Sequence, residues 1–247
     1  MPIQFDNSAT GTVTLKSPSS GTASFTLPSA DGTNGQVIQT NGSGVLSFAT
    51  TSGLPGAQGQ TFTSNGTFTI PTGVTAIKIT VVGGGGSSGS TSSVCAAGGG
   101  GGGAAIKYLT GLTPGNTLSV TVGGTGGTSS VASGTQSITT ISATRGSTGG
   151  SNGFASGGSG GVGSNGDLNI GGSGGEGSFY INISCTLYFL SGGGGSSIFG
   201  GGGAGQASSG GSSNGNAGRV YGGGGGGGFG SPGTAGAGAQ GVVLIEW

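Results

Sequence analysis

The chain has very little charge and no histidine. Of its 247 residues, five are Lys or Arg and five are Asp or Glu, so the net charge is zero. Such a chain offers no basic surface for nucleic acid and no polybasic patch for an anionic membrane. Without histidine, the usual base of hydrolytic triads and the commonest metal ligand are both missing. We therefore expect no enzymatic activity, no cofactor and no metal site.

Long apolar runs and cysteines are also scarce. No stretch reaches the length of about 18 apolar residues that a membrane-spanning helix needs. No charged and then apolar leader follows Met1, so we expect synthesis without a secretory signal. Cys95 and Cys185 lack a Cys-x-x-Cys context. They form a disulfide or a reactive thiol, or they are two small buried side chains, the interpretation that we favour.

Carboxylates are too few to suggest hydrolysis. Glycoside hydrolysis uses two carboxylates held roughly 5–10 Å apart. Asp167 and Glu176 are close in sequence, but turn and capping roles are much commoner for such residues. The sequence therefore gives no support to a glycosidase.

Glycine, in contrast, supplies 69 residues, about four times its usual share. Much of it forms uninterrupted runs, at 83–86, 98–103, 192–195, 200–203 and 222–228. Collagen is excluded because Gly does not occupy every third position. Disorder would require a polar, highly charged chain, whereas here only 4% of residues are charged and patterned apolar strands flank the runs. We expect extended left-handed helices with about three residues per turn, bonded to one another through their backbones.

Residues 1–50 show short alternating strands, at 12–15, 23–27, 36–39 and 45–48, with a turn signal at 41–44. So small an apolar core is marginal alone and would gain from oligomerisation, most economically as a trimer. We predict an attachment or trimerisation module here, followed by a linker at 51–60 that is rich in Gly and Pro. Its candidate contact residues are Val13, Leu15, Phe25, Leu27, Leu46 and Phe48.

Residues 61–247 predict an all-β domain. A hairpin is expected around 64–66, and further strands at 76–82, 104–109, 118–122, 137–144 and 242–247. Their alternation is typical of antiparallel strands with one buried face. We expect an antiparallel β-sandwich into which a polyglycine-II-like region, about 146–238, is inserted before the last strand.

Four segments of this domain, taken in order, resemble the glycine-rich domain of bacteriophage tail fibres. They are 68–86, which runs from Phe-Thr-Ile-Pro to four glycines, and 112–123, 166–170 and 241–247. Segment 30–48 is similar to a short motif of phage fibre stalks. The resemblance implies a trimeric stalk, and a tip whose stacked polyglycine helices hold distal loops that bind host receptors.

The resemblance also implies partners and a location. We expect a homotrimer in the virion, assembled in the host cytoplasm, that meets other tail or fibre proteins through residues 1–50. Its tip would bind a host surface glycan or an outer-membrane protein. The alternative is a purely structural virion component, such as a head fibre, a decoration protein or a tail connector, and the lack of a long shaft before residue 10 favours it. An ice-binding protein would show a regular flat array of Thr or Ala, which the sequence lacks.

Residues 179–190 form an apolar, aromatic block within the glycine-rich stretch. They either present aromatic rings to a receptor, since rings give a large contact area at low entropy cost, or bury them in a hairpin or trimer contact, which we favour. Aromatic residues beside other glycine runs either decorate the lattice or plug its edges, and Arg219 either binds a sugar carboxylate or is solvated. The candidate receptor-binding residues are Tyr180, Tyr188, Phe189, Phe199, Arg219, Tyr221 and Phe229.

Overall fold

The computed structural model describes residues 26–33, 36–50, 58–90, 94–151, 153–183, 186–209, 211–230 and 233–247. These residues form β-strands and extended segments, with no helix among them. The chain divides into two compact units, Met1–Leu54 and Pro55–Trp247.

In the first unit, β1 (Gln36–Thr40) and β2 (Leu46–Thr50) pair as an antiparallel hairpin. In the turn, the Asn41 Oδ1 atom accepts hydrogen bonds from the backbone N–H groups of Ser43 and Val45, and Gly42 and Gly44 have positive φ. The two strands and the turn predicted here are confirmed. The strand expected at 12–15 lies outside the described residues, as do Val13, Leu15 and Phe25.

The described residues of the second unit form thirteen strands. They are β3 (Gly59–Phe62), β4 (Gly66–Thr69), β5 (Ala76–Val82), β6 (Ala104–Thr110), β7 (Thr117–Thr121), β8 (Ser129–Ser133), β9 (Ile141–Ala143), β10 (Gly163–Ser164), β11 (Leu168–Ile170), β12 (Phe179–Ile183), β13 (Thr186–Leu190), β14 (Ala207–Ser208) and β15 (Val242–Glu246).

Ten of these strands form the sandwich that the sequence predicts. One sheet has the order β10-β9-β8-β7-β4 and the other β11-β6-β5-β15-β3, and every pairing is antiparallel. Alternate residues from both sheets meet in one core, in which Phe68 and Leu118 of the first sheet join Ile79 and Ile245 of the second. The antiparallel β-sandwich is therefore confirmed.

The hairpin predicted around residues 64–66 is wrong. β3 pairs with β15 in one sheet, whereas β4 pairs with β7 in the other, so residues 63–65 carry the chain across the sandwich. The Asn65 Oδ1 atom accepts a hydrogen bond from the Val122 N–H at 2.8 Å and fixes this crossing. Phe62 and Phe68 both reach the shared core, and their spacing alone does not distinguish a crossing from a hairpin.

Ten extended segments, which we call the glycine lattice, run back and forth beside the sandwich. They are 83–89, 96–103, 144–150, 156–162, 171–176, 191–197, 200–205, 214–219, 222–228 and 234–241. The lattice thus includes the connection between β5 and β6, in addition to the expected region 146–238.

The central segment of the lattice, residues 96–103, shows how it is held together. Its successive N–H groups donate in rotation to three segments, 222–228, 144–150 and 173–176, so each neighbour receives a bond from every third residue. Its carbonyl groups accept bonds from three others, 83–89, 158–161 and 192–195, and all these bonds measure 2.8–3.1 Å. A repeat of three residues is that of the polyproline II helix. All eight N–H groups and seven of the eight carbonyl groups of this buried segment thus find a partner on one of six neighbours.

Only glycine fits at positions 98–103 of this segment. A Cβ atom on any residue from Gly98 to Gly103 would lie within 3.0 Å of backbone atoms of a neighbouring segment. Such an approach is one that real Cβ atoms do not make, so the segments would have to separate and lose their bonds. The glycine runs are therefore a packing requirement.

Candidate functional site

The lattice segments are joined at two ends, and one end lies away from the sandwich. Gly83 pairs with Gly103 beside the strands, while Gly89 pairs with Ala97 at the other end. The described residues of five connections lie at that end, which we call the tip: 90–95, 151–155, 177–190, 206–213 and 229–233. Connections that are far apart in sequence therefore share one surface.

Backbone contacts tie the five connections of the tip into a row. The Gly153 N–H donates to the Cys95 carbonyl at 3.0 Å. Isolated β-bridges join Ala155 to Ser178 and Ser213 to Phe229, and Leu190 pairs with Ala207. The tip is thus one connected surface, at least through its described residues.

The centre of the tip is a three-stranded sheet of order β12-β13-β14. Directly opposed residues of an antiparallel pair share a face, and Tyr180 lies opposite Phe189. This inner face is anchored by aromatic contacts. The Phe189 ring lies 6.1 Å from the Phe229 ring and almost parallel to it, and the Tyr180 ring lies 4.9 Å from that of Phe154.

Two further hydrogen bonds fasten the base of this sheet. The Cys95 thiol donates to the Phe179 carbonyl at 3.2 Å, and the Ser178 hydroxyl donates to the Gly153 carbonyl at 2.5 Å. Cys95 is buried and free, and burial raises the pKa of its thiol. Cys95 thus matches the expected small buried side chain, while Cys185 lies outside the described residues.

The outer face of the same sheet is apolar and open. Phe179 lies opposite Leu190, and Ile181 opposite Tyr188. These four side chains are 40–46% exposed, and Phe154, which packs on Tyr180 of the inner face, is 70% exposed. None of the five tip connections contains Lys, Arg, Asp or Glu. The tip therefore offers an uncharged apolar surface bordered by Ser, Asn and Gln.

The structure brings four of the seven candidate receptor-binding residues together at the tip. Tyr180 and Tyr188 are exposed there, and Phe189 is half-buried. Phe229 is only 3% exposed, so its ring fills the edge of the lattice and is not presented to solvent. Sequence reasoning missed Phe154, Phe179, Ile181 and Leu190, although Phe154, a lone aromatic residue among Ser, Asn and Gly, was open to the same argument as Phe199.

The other three candidates lie at the opposite end of the lattice, beside the sandwich. Tyr221 packs half-buried against the cluster of Val82, Ala104 and Val242, again as a plug. Phe199 is exposed, and Arg219 is exposed with its backbone N–H donating to the Gly201 carbonyl. The structure therefore does not bring these three to the tip.

The carboxylates described in the second unit are engaged separately. Asp167 accepts hydrogen bonds from the Lys107 Nζ atom at 2.5 Å and the Tyr108 N–H at 2.9 Å, and the bond from Lys107 is the main cause of its lowered pKa. The Glu176 Oε2 atom accepts from the Gly193 N–H at 3.0 Å. The Glu246 Oε2 atom lies 2.8 Å from the Lys78 Nζ atom, and this bond raises the pKa of Lys78.

The described ranges contain neither a metal-binding cluster nor a membrane-spanning helix. Within them, no group of three or more His, Cys, Asp or Glu residues could hold a metal ion. None of the described segments is a helix long and apolar enough to cross a membrane.

In the first unit, apolar side chains are only partly covered. Leu46 and Phe48 are half-buried, while Leu27, Val37 and Ile38 are exposed. Leu27, Ile38 and Phe48 line one shallow depression. This unit thus keeps an apolar surface that its described residues do not bury.

A family model described as a glycine-rich domain matches residues 61–247. The chain belongs to this glycine-rich domain family. The matched region begins within β3 and takes in the sandwich, the lattice and the tip. No curated protein matches the chain. The glycine-rich domain of this chain is therefore defined by the sandwich and lattice together, with the uncharged tip at the far end.

Proposed function

We propose that this protein is a bacteriophage fibre-tip protein that binds the host cell surface through the tip, without catalysis. One observation carries the proposal: an exposed, uncharged apolar sheet sits at the end of a densely bonded glycine lattice, where all five connections converge. The resemblance of residues 61–247 to tail-fibre glycine-rich domains, and of 30–48 to fibre stalks, gives the biological setting.

The apolar surface supports a binding role. Soluble proteins rarely expose large contiguous apolar patches, and those that do use them to contact another molecule. Phe179, Ile181, Tyr188 and Leu190 form such a patch on one face of a short sheet. Aromatic rings in particular give large contact areas while losing few rotatable bonds. The sheet therefore has the composition of a contact surface.

The lattice supports binding by holding this surface still. Each flexible side chain or loop that becomes fixed on association costs binding free energy. Here the base of the sheet is fixed beforehand through Ser178, Cys95 and the stacked ring of Phe229. Preorganisation of this kind reduces the entropy lost when a receptor binds.

The first unit supports repeated presentation of the tip. Its exposed Leu27, Val37 and Ile38 suit burial between copies of the chain, and we propose a homotrimer that joins other tail or fibre proteins through residues 1–50. Several tips on one particle turn weak single contacts into firm adsorption. The partner at the cell surface is a glycan or an outer-membrane protein.

Competition for adsorption tests the proposal. Purified full-length protein is expected to bind cells of the bacterium infected by the phage that carries this gene, and to inhibit adsorption of the virions. The double variant Ile181→Thr/Tyr188→Thr, which makes one opposed pair on the outer face polar, is expected to inhibit at least about tenfold less well. Phe199→Ser, an exposed ring at the other end of the lattice, serves as the control and is expected to act as wild type.

Ionic strength gives an independent measurement. Because the tip carries no charged residue, binding is expected to change less than about twofold between 50 and 500 mM NaCl, where exposed charges are increasingly screened. Wild-type protein that neither binds these cells nor competes with virions contradicts the proposal. So does a double variant that competes as well as wild type.

A purely structural virion component is the second candidate, and the aliphatic character of the tip favours it. Ile181 and Leu190, exposed in the single chain, suit permanent burial against another protein, since obligate interfaces are more apolar than transient ones. A reconstruction of the particle separates the two functions. A tip buried against a capsid or tail protein supports the structural role, and a tip pointing into solvent supports adsorption.

A further inference from the structure

One aromatic side chain of the sandwich is exposed among its described residues. Phe62 and Phe68 are buried in the core, and Trp247 is half-buried with its ring 5.4 Å from that of Phe68. Tyr108, in contrast, is 63% exposed on the outer face of β6. A large ring on the solvent face of a strand does not contribute to the core. The residues around it therefore indicate which ligand it could bind.

Tyr108 belongs to a row of three functional side chains across neighbouring strands. In the sheet register, Lys78 of β5 lies opposite Tyr108 on one side and opposite Glu246 of β15 on the other. The Lys78 Nζ and Glu246 Oε2 atoms are 2.8 Å apart. The ring and the ion pair therefore stand side by side on one face.

These three residues wall a depression of about 320 Å³. Ala76 and Thr110, which oppose each other at the next position of the same face, also line it. Because these side chains are small, they leave a depression beside the ring and the ion pair. The depression lies at the end of the sandwich opposite the lattice, since β5 begins at Ala76 and enters the lattice only after Val82.

The backbone that carries the ring is held in place. Asp167, just before β11, accepts a hydrogen bond from the Tyr108 N–H at 2.9 Å and another from the Lys107 Nζ atom. The ring therefore projects from a strand that is fixed on both sides, by β5 and by Asp167. A fixed ring beside a fixed ion pair is a preformed arrangement.

We propose that this depression binds a neutral sugar ring. One face of a pyranose carries C–H groups, which are attracted to the negative face of an aromatic ring. Its hydroxyl groups both donate and accept hydrogen bonds, and the ammonium of Lys78 and the carboxylate of Glu246 offer one donor group and one acceptor group next to each other. Because the two charges neutralise one another, the site has no net charge with which to select an ionic ligand.

The size of the site agrees with this ligand. Small-molecule sites begin at volumes of about 300 Å³, so the depression suits one sugar ring of a longer saccharide. The site is at the opposite end of the domain from the tip and uses none of its residues. The inference therefore stands whether or not the tip binds a host cell.

Titration of the full-length protein with glucose, galactose, mannose, N-acetylglucosamine and short oligomers of each tests the inference, by calorimetry and by NMR of the tyrosine rings. At least one is expected to bind with a Kd of about 1 mM or below. Tyr108→Ala is expected to weaken that binding at least about tenfold, whereas Tyr108→Phe, which keeps the ring, retains it. Val220→Ala, which shortens an exposed apolar side chain outside both the depression and the tip, is the control and is expected to bind as wild type.

Three results would overturn the inference. They are a lack of binding by every sugar at concentrations up to about 50 mM, equal binding by Tyr108→Ala and wild type, and binding that disappears in high salt. The last would show that the ligand is held through charge. Thermal unfolding of each variant accompanies the titration, and because Tyr108 is exposed we expect Tyr108→Ala to remain folded.

Discussion

The sandwich and the lattice bury their backbones in opposite ways. In the sandwich, strands pair edge to edge and side chains such as Phe68 and Ile79 fill the space between the sheets. In the lattice, residues 98–103 of the central segment present backbone on every side, and the segment's hydrogen bonds point outwards to six neighbours. The sandwich is therefore stabilised by side chains that fill its core, whereas the lattice forms because most of its buried residues have no side chain.

The two regions also offset the entropic cost of ordering the chain in different ways. Fixing Gly costs roughly 0.5–1 kcal/mol more than fixing Ala, and one hydrogen bond contributes a net amount of about 0.5–1.5 kcal/mol. A glycine segment with few neighbours therefore forms too few hydrogen bonds to offset the entropy that it loses on ordering. The lattice becomes stable because many segments share their bonds, and we expect it to unfold as a unit.

The largest expected effect comes from adding one carbon atom to the lattice. In Gly100→Ala, the new methyl group meets the Ser159 carbonyl and the adjoining backbone within 3.0 Å. We expect a loss of more than about 4 kcal/mol in the free energy of unfolding, or failure to fold, because whole segments must separate. Circular dichroism during thermal unfolding, with the yield of soluble protein, measures it.

Gly171→Ala is the matched control for this substitution. Its Cβ atom would lie 3.8 Å from the nearest neighbour, the Gly161 carbonyl oxygen, which is an ordinary contact. We expect the free energy of unfolding to change by less than about 1 kcal/mol, in the stabilising direction if at all. Equal melting temperatures for the two variants would show that a Cβ atom at Gly100 does not separate the lattice segments.

Removing one carbon atom from the sandwich gives a smaller change. Ile79 is fully buried between the two sheets, and Ile79→Val leaves a cavity the size of one methyl group. The expected loss is about 0.5–1.5 kcal/mol, with the fold retained. Urea denaturation of this variant beside Gly100→Ala compares the two regions for the same change in atom count, and a larger loss for Ile79→Val would reverse the comparison.

The edge of the lattice is expected to respond more weakly. On these exposed segments, the Ser173 Oγ atom accepts a hydrogen bond from the Ser196 N–H at 2.7 Å. Ser173→Ala transfers that N–H to water, and we expect a loss of about 0.5–1 kcal/mol in urea denaturation. Ser119→Ala, on the exposed face of β7, provides a control in the sandwich. A loss above about 3 kcal/mol in the free energy of unfolding would mean that the edge of the lattice is as sensitive to substitution as its centre.

The smallest expected effect is that of acid. The pKa of Asp167 is lowered by its bond to Lys107 and by the Tyr108 N–H, so its contribution is present above the pKa of the unfolded chain and is lost as the pH falls below about 4. NMR titration is expected to show β6 and β11 loosening in this range. Asp167→Asn removes the dependence. The central segment, residues 96–103, contains only Ala and Gly, so its amide protection from exchange is expected to stay constant over this pH range. A loss of that protection below about pH 4 would contradict the prediction that acid affects only the contacts of Asp167.

The sequence predicted the sandwich better than the lattice. Alternation located β5, β6 and β15 because one face of each strand is buried and the other is not. It failed at residues 63–65, since Phe62 and Phe68 enter the same core from two sheets. Glycine runs gave no alternation to follow, because all are chemically alike, and which run neighbours which is decided only by the hydrogen bonds of the whole lattice.

One signal within the runs was nevertheless available. The central segment has no serine, whereas exposed segments carry residues such as Ser147, Ser159, Ser173 and Ser196. A polar side chain at the edge bonds to the adjacent segment, as Ser147 does with the Ser159 carbonyl, but at positions 98–103 of the central segment a Cβ atom would meet backbone. The longest glycine runs without serine therefore indicate the centre, whereas the shorter run 200–203 lies nearer the edge, with Gly201 exposed. Applied to 98–103 and 222–228, both buried, this rule finds the interior of the lattice from the sequence.

The three-residue repeat of the central segment limits how such a gene can change in length. Inserting or deleting one or two codons within a run turns every later amide by about one third or two thirds of a revolution, so each group faces a different neighbour. Three codons restore every group to its former direction. Viable length differences within these runs are therefore expected to come in steps of nine nucleotides, while the connections at the tip are free of that rule.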